Sequence, residues 1–122
     1  MVRPLFDTNI LIDYLLNFDE ARTEIARYAA GTISVISWME VMAGASPDKE
    51  QGTRRFLDRF ERIELTARIA ERAAAIRRER RIKLPDAIIW ASAACESLML
   101  VTRNSKDFPA DEPWVRIPYI LS

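Results

Sequence analysis

An α/β fold with a mostly parallel central sheet is what this sequence predicts, and three observations carry the prediction. Short apolar or β-branched runs alternate with longer amphipathic stretches along the chain. One stretch, Ala87 to Glu96, is apolar nearly all round, which calls for a helix in a central position. The length, 122 residues with 49% apolar and 30% charged, suits one domain with one real core. Residues 1–122 are accordingly expected to form a single domain.

The elements follow in order. Val2 to Phe6 reads as a short buried strand ending at Asp7. Asp7-Thr8-Asn9 offers side chains that can cap free N–H groups, and a very apolar helix continues through Ile10 to Leu16. A second helix is expected from about Asp19 to Ala30, stopped by Gly31. Thr32 to Ile36 is β-branched and apolar, hence a strand. Ser37 can cap a third helix through about Ala43, which Gly44 and Ser46-Pro47 end. Asp48 to Arg62 is amphipathic, with Phe56, Leu57 and Phe60 on its inner face. Ile63-Glu64-Leu65 is a short strand candidate. Thr66 caps a helix through about Arg81, with Ile69, Ala73 and Ile76 inward. Leu84-Pro85-Asp86 opens the central helix. Leu98 to Thr102 reads as a strand and Val115 to Ile117 as a weaker last one. In such a sheet ligands bind beyond the carboxyl ends of the strands, where Asp7 and the Thr102–Asp107 segment both emerge.

Composition excludes several classes. A lone cysteine, Cys95, rules out an intrachain disulfide framework and reads as core filler. No stretch approaches the roughly 20 apolar residues of a membrane span, and the N-terminal run is too short for a signal peptide, so a cytoplasmic location is expected. Net charge is zero, which argues against coating nucleic acid by charge alone. Yet twelve basic residues stand against six acidic ones from Lys49 to Lys83, densest at Arg77 to Lys83. That run reads as a solvated helix face, with RNA contact as the functional alternative. There is no histidine. Most triad hydrolases and zinc sites are thereby removed, leaving carboxylates and a hard metal ion as tools for chemistry near neutral pH.

Three acids stand in apolar surroundings: Asp7 between a strand and a helix, Glu40 inside Ser37-Trp38-Met39-Glu40-Val41-Met42, and Asp86 ahead of Ala87-Ile88-Ile89-Trp90-Ala91. A carboxylate in such a place is costly unless paired or bound to a cation, and three together repel. Each alone also has a plain reading, as a helix cap for Asp7 and Asp86 or a helix-edge residue for Glu40, and Asp107 could be simple turn chemistry. A divalent Mg²⁺ or Mn²⁺ would remove both penalties, since hard cations take oxygen ligands. Such a site suits phosphodiester hydrolysis by a metal-activated water.

These residues resemble the PIN-domain family. Asp7-Thr8-Asn9 after a first strand looks like its opening motif, Ser37-x-x-Glu40-x-x-x-Gly44 its second, Leu84 to Ala91 its third, and Val101 to Phe108 its fourth. The length is similar to that of the VapC-type toxin of VapBC toxin–antitoxin pairs. The resemblance implies a three-layer α/β/α sandwich and an endoribonuclease that uses Mg²⁺ or Mn²⁺, often on tRNA or rRNA. It implies a homodimer and an antitoxin whose tail covers the active-site groove. Carried onto this chain, it makes Asp7, Glu40 and Asp86 metal ligands, and Thr8, Asn9, Thr102 and Arg103 site-lining residues. Many relatives carry an acid where this chain has Asn104, so either Asn104 or Asp107 supplies the fourth position. One tightly held ion is expected, with a second only beside substrate phosphate. Three other readings remain: an RNA-processing PIN nuclease, a catalytically silent PIN-fold binding module, and a receiver-type phosphoacceptor, although the last usually has paired acids after its first strand.

Overall fold

The computed structural model describes residues 2–121. Five strands form one sheet: β1 (Pro4–Phe6), β2 (Thr32–Ser34), β3 (Glu61–Ile63), β4 (Met99–Val101) and β5 (Val115–Arg116). Six helices follow the first three strands in pairs: α1 (Thr8–Leu15), α2 (Asp19–Ala26), α3 (Val35–Ala43), α4 (Glu50–Leu57), α5 (Ala67–Arg80) and α6 (Leu84–Glu96). The strand order is β3-β2-β1-β4-β5, and all four pairings are parallel. The chain thus leaves β1 toward one side, by way of β2 and β3, and returns to β4 on the other. The order reverses between β1 and β4, where such a sheet opens a crevice at its carboxyl edge.

Side-chain alternation along the strands fills both faces of the sheet. Leu5 and Leu100 enter one core with α5 and α6, while Phe6, Ile33 and Val101 enter the other with α1 and α4. The result is the expected α/β/α arrangement. Residues Ala87 to Ala93 of α6 are all buried, as an apolar helix must be. Each large apolar side chain withdrawn this fully stabilises by about 1.5–3 kcal/mol. Thr66 caps α5 through its hydroxyl, which accepts from Ile69 N at 3.2 Å, and Ile69, Ala73 and Ile76 face inward as expected.

Several boundaries differ from the sequence reading, each for a packing reason. Helix α2 ends at Ala26, four residues short of the expected Ala30. Tyr28 turns back there, its hydroxyl donating to Glu24 Oε2 at 2.9 Å and its ring meeting Phe6 edge-on. Gly31 therefore stops no helix. A Cβ at that position would lie 2.5 Å from Cε2 of Phe6, a buried ring held between Tyr28 and Phe60. Strand β2 ends at Ser34 instead of Ile36, and Ser34, not Ser37, caps α3 by accepting from Ile36 N at 3.0 Å. Helix α4 ends at Leu57, so Phe60 lies in the following turn, and β3 is Glu61–Ile63 instead of residues 63–65. As an outermost, largely exposed strand it carries charge, which protects an open edge but hides the strand from an apolar pattern.

Candidate active site

Register builds the site. Phe6 pairs with Val101, so the next residues, Asp7 and Thr102, leave the sheet side by side at the reversal of strand order. Asp7 N donates to Val101 O at 2.9 Å, and Thr102 N donates to Arg116 O at 3.0 Å. Both side chains are buried. Asp7 is the N-cap of α1, its Oδ1 accepting from Thr8 N at 2.8 Å. Its Oδ2 accepts from the Thr102 hydroxyl at 2.7 Å, with Asn9 Nδ2 at 3.4 Å from both oxygens. Burial outweighs these hydrogen bonds and, with repulsion from Asp86 and Glu40, pushes the Asp7 carboxyl up to about 6.

The other acids converge from three elements. Asp86 lies half-buried in the first turn of α6, behind Pro85; Lys83, not Asp86, occupies the cap position. Burial raises the Asp86 carboxyl above its ordinary range, followed by the charges of Asp107 and Glu40, against a smaller opposing effect of Lys83. Glu40 takes the helix-edge position of its two readings, with its carboxylate exposed on α3. Thr8 Oγ1 sits 2.7 Å from Glu40 Oε1 and 2.8 Å from Ser37 Oγ. Having one proton, Thr8 donates to the carboxylate and accepts from Ser37. Ser37, fully buried, thus supports the site without being among the expected residues, although it opens the motif that contains Glu40.

After β4 the loop folds on itself. Asn104 Nδ2 donates to Asp107 Oδ2 at 3.1 Å, and Asp107 N donates back to Asn104 Oδ1 at 3.2 Å. The Asn104 amide is engaged in holding Asp107, and the charge that reaches Asp86 is that of Asp107. Arg103 lines the site only through its backbone, whose N–H donates to Asn9 Oδ1 at 3.2 Å. Its guanidinium turns away to Asp13 of α1, at 2.5 and 3.0 Å.

Among the described residues, none of Asp7, Glu40, Asp86 and Asp107 has a Lys or Arg nitrogen within salt-bridge distance. The donor set is all oxygen, and one member is buried and starved of positive charge. A hard divalent cation fits those donors. With the side chains as they stand, no three His, Cys, Asp or Glu groups among the described residues are gathered tightly enough to enclose an ion.

A parallel α/β/α sandwich with acids clustered at the carboxyl-edge reversal of strand order defines a class of carboxylate-site domains. The model of the PIN domain matches residues 5–110, and the chain belongs to that family. Solved structures agree. A chain of a toxin–antitoxin complex from Klebsiella pneumoniae matches at 48% identity with a TM-score of 0.91, over 97% of this chain and 99% of that one. VapBC2 from Rickettsia felis, bound to a DNA fragment from its promoter, matches at 25% identity and a TM-score of 0.73, over 89% and 94%. DNA-bound VapBC from Salmonella typhimurium shares the fold at 23% identity and a TM-score of 0.77, over 96% and 97%. A comparison with curated protein sequences finds no match. Among the described residues, no helix is long and apolar enough to cross a membrane.

Proposed function

We propose that this chain is a divalent-metal-dependent endoribonuclease and the toxin of a type II toxin–antitoxin pair. The observation that carries the reading is the Asp7 carboxylate: buried at the sheet's reversal point, facing Asp86 and Glu40, and given hydroxyl and amide donors but no protein cation. Mg²⁺ or Mn²⁺ would be held by Asp7, Asp86 and Glu40, with Asp107 as the fourth acid and Asn104 orienting it. When bound, such an ion offsets the carboxylates' mutual repulsion, acidifies water and polarises a phosphodiester oxygen.

The chain's own residues do the positioning. Thr8 N and Thr102 Oγ1 fix both Asp7 oxygens, and Thr8 Oγ1 orients Glu40. The rigid, buried α6 presents Asp86. With no histidine to activate a serine or threonine, hydrolysis proceeds without a covalent enzyme intermediate. The exposed basic end of α5 leads within a few residues into the turn bearing Asp86, which supports contact with RNA phosphates there.

The 48%-identical chain from a toxin–antitoxin complex favours the toxin role over RNA processing. An apolar groove of about 330 Å³ between Leu15, Leu16, Val41 and Ala45 reaches Glu40 and would seat an antitoxin segment. Homodimer formation and a cytoplasmic location belong to the same proposal. The test is cleavage of purified tRNA and rRNA by antitoxin-free protein in Mg²⁺, Mn²⁺ or EDTA. Cutting at discrete sites is expected, abolished by EDTA and reduced ~100-fold or more in Asp7→Asn. A fully active Asp7→Asn protein would sink the site assignment. Folded protein that neither binds metal nor cuts would make the chain a silent binding module, a reading against which the set of Asp7, Glu40 and Asp86 stands.

A further inference from the structure

We propose that Asp13, Arg103 and Tyr119 form the positioning device of the carboxylate centre, holding the segment after β4 against α1 so that Thr102 meets Asp7 and Asn104 holds Asp107 near Asp86. The proposal rests on the reading of that centre as a cation site.

Asp13 lies six residues beyond Asp7 on α1 and is only 2% exposed. Its Oδ2 accepts from Arg103 Nε at 2.5 Å and its Oδ1 from an Arg103 terminal nitrogen at 3.0 Å. Tyr119, from the segment after β5, donates its hydroxyl to the same Oδ2 at 2.8 Å. A buried carboxylate so satisfied fixes geometry, because the fork of the guanidinium meets the two oxygens in one orientation only. The fork belongs to the residue between Thr102 and Asn104, which carry the site's hydroxyl and the amide that grips Asp107. The backbone is tied as well: Arg103 N donates to Asn9 Oδ1, and Asn104 N donates to Thr102 Oγ1 at 2.9 Å. Arg103 is thus a positioning residue that acts through its neighbours and touches no reacting group.

A second triad supplies an internal control. Glu24, 4% exposed, accepts from Arg116 at 2.7 and 3.0 Å and from the Tyr28 hydroxyl at 2.9 Å. Burial, bidentate geometry and the phenol donor all correspond. Arg116 even touches the site segment, but only through its carbonyl, which accepts from Thr102 N and which a side-chain change leaves in place. Its guanidinium anchors α2 instead of α1.

The experiment compares Arg103→Lys with Arg116→Lys in the full chain, by amide hydrogen exchange of the metal-free proteins and by Mn²⁺ titration followed by electron spin resonance. Lysine keeps the charge and loses the fork. The expected result is similar loss of melting temperature in both. Exchange at the Asn104 and Asp107 amides should quicken tenfold or more, and Mn²⁺ affinity should fall tenfold or more, in Arg103→Lys alone. Equal changes in both variants, or none in Arg103→Lys, overturn the proposal. Absence of Mn²⁺ binding in the unaltered protein would instead refute the cation site, and amide exchange alone would then decide whether the triad holds the segment.

Discussion

Asp7 and Asp13 stand at the two ends of one short helix, equally withdrawn from solvent at 3% and 2% exposed, and they meet opposite surroundings. Asp13 receives a bidentate arginine and a tyrosine hydroxyl. Asp7 receives one backbone N–H, one hydroxyl and a weak amide contact, while Asp86 and Glu40 repel it. The nearest guanidinium in sequence to Thr102 is spent on Asp13, pointing away from the acids. One aspartate is therefore completed by the fold, and the other is left short of positive charge. The difference separates a structural carboxylate from one that suits a cation from solution.

The largest break in that comparison is Asp13→Ala. It strips Arg103 and Tyr119 of their shared acceptor, and removal of one partner of a buried pair costs about 3–5 kcal/mol. The lower end applies here because Arg103 is 31% exposed and regains water. Urea denaturation measures it, and a loss below 1 kcal/mol would mean the triad is not a structural lock.

Asp7→Asn should act in the opposite direction on the metal-free protein. Asn keeps an acceptor for Thr8 N but carries no charge. The rise from 3.8 to about 6 corresponds to about 3 kcal/mol of destabilisation by the ionised form. Its sign follows from proton binding. Between about pH 4 and pH 6 the folded Asp7 holds a proton that the unfolded chain has lost, so stability falls as pH rises through that window and the penalty is complete above it. Asp7→Asn should remove this slope and be the more stable protein at pH 7. Denaturation of both proteins at pH 4.5 and 7 reads it directly. A variant weakened at both pH values would make Asp7 an ordinary helix cap.

The same two residues show what the sequence reveals. Asp7 is legible because a lone acid between two apolar runs is costly, and Asp86 for the same reason; Asp7 and Thr102 lie where the strand pattern puts them, at one edge of the sheet, whereas only the fold brings Asp86 near them. Asp13 gives the same signal, inside Ile10-Leu11-Ile12-Asp13-Tyr14-Leu15. Its partner could not be found that way, since Arg103 is 90 positions distant and only the pairing of β1 with β4 joins them. Glu24 had no local signal at all, lying in a charged helix with its arginine 92 positions away. Glu40 gives the same local signal as Asp7, but its apolar neighbours leave its own face of α3 open and its carboxylate is exposed, as a helix-edge residue is. Periodicity places elements and flags costly residues, whereas the partners that resolve the cost come from tertiary pairing.

Thr102→Val should give the smallest pH-dependent effect and the finest test of how Asp7 is held. The hydroxyl, fully buried, donates to Asp7 Oδ2 and accepts from Asn104 N and, more weakly, from Asn9 Nδ2 at 3.4 Å. Valine matches its shape and can do neither. Losing the donor removes an influence that lowers the Asp7 carboxyl, so that group should titrate higher still, by about 1 kcal/mol equivalent. The loss of stability with rising pH would then extend above pH 6. Losing the acceptor leaves a backbone N–H unpaired, a cost of about 1–3 kcal/mol that does not depend on pH. The two contributions separate in one set of denaturation curves, because only the first moves the pH window. A lowered baseline with an unmoved window would assign the hydroxyl to the loop alone, and the charge state of Asp7 would then be governed by burial and by its acidic neighbours.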